Sequence, residues 1–210
     1  MKKLLLALPL LAAAPLLAQM PTEAPGKPDA SLVTAGNYVV DPQHALIGWR
    51  VNHLGFNDYF GIFGYVEGRL KLDPKNLAAS TVDVTIPVSK ITTVNADLNA
   101  HLLKPGKDGG KPDFFGPTPA DARFVSTSVK VDGTEAQISG NLTLNGITRP
   151  VVLNAEFTGA GKMPMPGAKD TVGFEAETTI KRSDFGLGNF VPLVSDEVQL
   201  DISVAFEKAD

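Results

Sequence analysis

Apolar and polar residues alternate with period two along most of this chain. Ile47, Trp49, Val51 and His53 share one parity, with Gly48, Arg50 and Asn52 between them. The same rhythm runs through residues 66–72, 82–88, 129–131, 138–144 and 151–157, and it is cleanest over 172–180 and 198–206. Alternation of this kind turns one side of a strand to a core and the other to water. The pattern predicts eight or nine strands, separated by turn signals such as Asp132-Gly133 and Asn145-Gly146. Each strand has a single apolar face, so the sheet is antiparallel rather than covered on both sides. Only residues 95–103 suggest a helix, with Leu98 and Leu102 four apart. With no helices to cover it, such a sheet must fold onto itself, as a closed barrel or as a two-sheet sandwich.

Composition narrows the range of chemistry. The chain has no Cys, which rules out disulfides, thiol nucleophiles and Cys-ligated metal centres. Nineteen basic residues stand against 23 acidic ones, so the basic surface expected of a nucleic-acid binder is missing. At the N-terminus, Lys2 and Lys3 precede an apolar run and then small residues, the pattern of a secretory signal peptide. Residues 1–18 are therefore expected to be removed on export to the periplasm. Losing Lys2 and Lys3 would take the net charge from −4 to −6. Residues 19–36, rich in Pro, Ala and Gly, read as a flexible leader, and the folded domain as 37–210.

Catalytic motifs are missing. His44, His53 and His101 lack the spacing of a helical zinc site, and neither G-x-S-x-G nor a Gly-rich phosphate loop occurs. The expectation is a non-enzyme that requires no metal or cofactor. Parity turns Trp49, Leu142 and Phe174 inward. Gly48, Gly68, Gly140, Ala155 and Ala176 read as small inward positions, which either relieve crowding or hold a lumen open. Aromatic residues gather in three segments read as loops: Phe56, Phe60 and Phe63; Phe114 and Phe115; and Phe185. They either plug the core or gate an apolar pocket. His53 and Arg182 stand at the ends of inward-facing rows. Each either meets a ligand headgroup or serves only the barrel.

As a set, several segments resemble the YceI-like family. They include Tyr38-Val39-Val40-Asp41-Pro42-Gln43-His44, Val51-Asn52-His53-Leu54-Gly55, Gly61-Ile62-Phe63-Gly64 and Asp113-Phe114-Phe115. Lys181-Arg182-Ser183-Asp184-Phe185-Gly186 and Val194-Ser195-Asp196-Glu197-Val198 follow in order, and the resemblance spans about residues 37–208. It implies an all-β, eight-stranded antiparallel lipocalin-like barrel with one short helix and an elongated apolar cavity. It also implies an exported carrier or storage protein that binds a polyisoprenoid lipid, such as an isoprenoid quinone. Besides that lipid, a membrane protein that uses quinone and a second copy of the chain are candidate partners. Two rivals are a redox accessory module that delivers quinone to a membrane oxidoreductase, and a barrel enzyme using His53 or Arg182 on an apolar substrate.

The N-terminal pattern carries its own test. Protein recovered from fractionated cells should begin near Gln19 and lie in the periplasmic fraction, as read by N-terminal sequencing. Cytosolic protein that still carries Met1 would refute it.

Overall fold

The structure, a computed structural model, describes residues 22–209. The expected signal segment lies outside the described residues. Ten strands form: β1 (Gly36–Val40), β2 (Leu46–His53), β3 (Asn57–Phe63), β4 (Glu67–Leu72), β5 (Thr81–Ile86), β6 (Ala122–Asp132), β7 (Glu135–Leu144), β8 (Ile147–Lys162), β9 (Asp170–Lys181) and β10 (Glu197–Lys208). All neighbours pair antiparallel in the order β1-β4-β5-β6-β7-β8-β9-β10, and β10 pairs back onto β1, so the sheet closes as an eight-stranded barrel.

Ten strands make eight staves because the first two staves are broken. The edge of β10 pairs with β1 over Phe206–Lys208 and with β2 over Gln199–Ser203. Along the next stave, β4 pairs with β1 and β3 pairs with β2. The hairpin of β2 and β3 thus extends one end of the barrel. The short helix α1 (Ala96–Leu102) covers that end, one position shorter on each side than the sequence suggests. Asn95 caps it, its side-chain oxygen accepting from the N–H groups of Asp97 and Leu98. Leu102, buried on α1, packs with Trp49 and Ile91.

The segment containing Phe56, Phe60 and Phe63 is not a loop. It is mostly β3, and Trp49 explains why. Gly61 faces Trp49 across the hairpin, and a Cβ at Gly61 would overlap the indole. The same economy recurs at two inward glycines. Gly68 lies under Val84, and Gly140 under the Phe124 ring. These glycines therefore admit a large neighbour and do not open a lumen. Gly48 pairs with exposed Asp201 and faces outward, a correction to its inward reading. The alanines behave as lumen residues. Ala136, Ala155 and Ala176 stand side by side across β7, β8 and β9, and all border a cavity.

Residues 22–36, read as a flexible leader, contact the barrel. Lys27 exchanges both backbone hydrogen bonds with Ala160, at 2.9 and 2.8 Å, on β8 beyond the end of its pairing with β7. Gly159 and Gly161 permit that approach, since side chains there would meet the backbone of Lys27 and Pro25. Further on, the fully buried Tyr38 donates its hydroxyl to the Thr34 carbonyl at 2.6 Å.

Gly68 combines two constraints, a φ of +151° and overlap of any Cβ with β5 backbone. Gly68→Ala should lower stability by about 2–4 kcal/mol. At Gly133, in an open turn, alanine meets no neighbour and strains only φ, so the loss should be about 1 kcal/mol. Urea midpoints of the two variants check the ranking.

Candidate functional site

The barrel axis is occupied by two apolar chambers that meet at a waist. The larger, about 300 Å³, is walled by Leu70, Val84, Leu153, Phe174 and Ala176 among others. The narrower, about 140 Å³, lies under α1 and the β2–β3 hairpin, among Trp49, Phe63, Phe114, Phe115 and Leu187. Ile47, Ile86, Leu142 and Leu200 border both and form the waist. Each sits on the inward parity of its strand, or, for Ile86, at the end of β5. The barrel's alternation therefore lines two adjoining chambers with hydrocarbon.

Six of the residues selected from sequence reach these chambers: Trp49, Phe63, Phe114, Phe115 and Leu142 around the narrow chamber, and Phe174 in the wide one. Among the described residues none accepts from the buried Trp49 Nε1–H. Phe63 and Phe115 meet edge to face, with centroids 6.3 Å apart. Ala45 is buried on the wall of the wide chamber.

Four selected residues stand elsewhere. Phe56 is 86% exposed at the hairpin tip, and Phe60 points outward from β3 beneath the Arg50 guanidinium. Parity decides Phe60, because it shares a face with Arg50 and not with Trp49. His53 ends β2 exposed and borders neither chamber, pairing instead with Asn57 and Val194. Phe185 is 1% exposed, but it belongs to the packed core and borders neither chamber.

Arg182 borders the narrow chamber, yet four of its five N–H donors are already engaged. Nε donates to the Ser195 carbonyl at 2.8 Å, one terminal nitrogen to the carbonyls of Leu187 and Asn189, and the other to Val194 at 2.8 Å. The side chain is a clamp that gathers the segment between Phe185 and Asp196. Burial draws the guanidinium below its ordinary range, and the charge of Asp196 opposes that shift. The guanidinium thus rests on four backbone carbonyls, with the charge of Asp196 nearby. The clamped loop carries Phe190 onto Phe114 and His101, which closes the wall beside α1. Sequence left open whether Arg182 meets a headgroup or serves the barrel, and could not show its acceptors, since backbone carbonyls leave no trace in residue type.

Burial alone would raise the Asp196 carboxyl. The Ser183 N–H and hydroxyl, at 2.9 and 2.8 Å, with the charges of Arg182 and Lys181, outweigh it and hold the group below the usual carboxylate range. A carboxyl depressed on folding adds stability that is complete above its unfolded value, near 3.8, and is lost as pH falls through the lower folded value. Urea midpoints taken from pH 7 down to pH 2 should show Asp196→Asn already destabilised at pH 7. The gap to the parent protein should narrow at the acid end. A gap independent of pH would remove Asp196 from this account.

Residues 38–206 match the model of the YceI-like domain. Protein YceI of Shigella flexneri is 40% identical over 178 residues, covering 83% of this chain and 88% of that protein. Among solved structures, BcnA of Burkholderia cenocepacia superposes with a TM-score of 0.64 at 24% identity, over 79% of this chain and 98% of that one. A polyisoprenoid binding domain from Saccharophagus degradans shares the fold with a TM-score of 0.58 at 13% identity, over 84% of this chain and all of that one. Strand order, the chambered interior and the match across nearly the whole barrel agree: this chain belongs to the YceI-like family.

Proposed function

We propose that this protein is an exported carrier or storage protein that holds the chain of an isoprenoid lipid, a quinone or a similar long-chain amphiphile, along the barrel axis. The observation that carries the reading is the pair of apolar chambers joined at a four-residue waist. An extended, branched hydrocarbon fits a path of that shape, and burying it yields roughly 25 cal/mol per Å² of apolar surface removed from water. The shared fold with a polyisoprenoid binding domain supports the choice of ligand class. The signal pattern of residues 1–18 supports a periplasmic site of action. Carriage is favoured over catalysis by the same geometry. His53 borders neither chamber, and four of the five Arg182 N–H donors are held by backbone carbonyls, which disfavours both of the suggested catalytic groups.

Mass spectrometry of a solvent extract of protein purified from its native source should find an isoprenoid-chain lipid in near-equimolar amount. Leu142→Arg, which places a charge at the waist, should abolish it and cost several kcal/mol of stability. Ala176→Trp fills the wide chamber without burying charge and should displace the lipid from a folded protein. An empty extract from the parent protein, or full occupancy in Ala176→Trp, would remove the proposal.

A further inference from the structure

We infer that the cavity accepts isoprenoid chains with uncharged heads and rejects those ending in phosphate, and that Glu135 and Glu156 at the wide chamber's rim enforce part of this choice. The inference rests on the lipid-carrier reading and adds the chemistry of the head to it.

Among the described residues bordering the two chambers, three carry formal charge: Glu135 and Glu156 at the wide one, and Arg182 at the narrow one. Each end of the path therefore meets a phosphate differently, and both are unfavourable. At the narrow end the one cation has already donated to four carbonyls, and Asp196 lies close enough to offset its charge. A phosphate there would lose its water and meet one uncommitted N–H of the guanidinium's five. Burying an ion without a partner is far more costly than burying a neutral oxygen.

At the wide end the sign is wrong. Glu135 and Glu156 are directly opposed on β7 and β8, exposed on the outward parity beside the inward Ala136 and Ala155, and both border the chamber's edge as well as a groove on the barrel's outer surface. That groove adds Asp132, Glu175, Glu177 and Asp201, against Lys130 alone. A phosphate monoester carries about −1.5 to −2 charges near neutral pH, so a head left at this mouth sits in a field of its own sign. A quinone ring or an alcohol pays neither penalty.

The test uses two probes of one chain length, the C20 isoprenoid alcohol and its monophosphate. Titration at low ionic strength can be followed by fluorescence of Trp49, the lone Trp, which lines the narrow chamber. The alcohol should bind at least tenfold more tightly than the monophosphate. Glu135→Gln/Glu156→Gln, on an exposed rim, should improve monophosphate binding severalfold while the alcohol's affinity changes less. Adding salt should narrow the gap in the parent protein more than in the variant, because these charges are screened. Equal affinities, or preference for the monophosphate, would overturn the inference and leave the carrier reading intact. A gap untouched by the double variant would remove the two glutamates from it. Binding of neither probe would overturn the carrier reading and this inference together.

Discussion

A buried guanidinium that cannot shed its proton must be surrounded by acceptors, and that requirement shapes the whole narrow end of the barrel. Arg182 stands at the exit of β9 with 5% of its surface exposed. The chain answers by folding the following loop around it until four carbonyls point inward. Once the loop is wrapped, Leu187 becomes a chamber wall, Phe190 reaches the rings of Phe114 and His101, and Val194 meets His53 at the end of β2. Helix, hairpin and loop are thus tied by one cation. The tie also leaves that cation with a single uncommitted N–H toward anything bound in the cavity.

The large-scale fold was legible because its cause is periodic. Strands β9 and β10 alternate over their full length, and closing them into a barrel follows from having one apolar face and nothing to cover it. The four-residue spacing of Leu98 and Leu102 placed α1 to within one residue at each end. What failed to show were features defined by partners distant in sequence. Strand β3 reads as an aromatic loop because its inward row contains Gly61, whose missing side chain is compensated by Trp49 on the neighbouring strand. Gly68 and Gly140 suggest empty space for the same reason. A glycine records that room is needed, not what occupies it.

Candidate site residues divide along that line. Trp49, Leu142 and Phe174 were fixed by strand parity, and parity is local. Phe56 and Phe60 were chosen for their aromatic character, which does not state a direction, and both face solvent. His53 follows the inward parity of β2, but the strand has passed beyond the chamber by its last residue. The waist residues Ile47, Ile86 and Leu200 are ordinary aliphatics in ordinary strands. Only the closed ring, which brings β2, β5, β7 and β10 around one point, gives them a common role.

Closure of that ring joins the two ends of the domain. Tyr38, Val39 and Val40 pair with Phe206, Glu207 and Lys208, so the seam is made from the first and last strands. Contacts between residues so far apart in sequence carry a large loop-closure cost and form late. A chain emerging from its N-terminus cannot seal the seam until its final dozen residues are free. Until then the apolar inner faces of the other staves stay open and the first stave lacks its partner. The barrel's lumen is therefore complete only when its two most distant strands have met, whatever order the other staves follow.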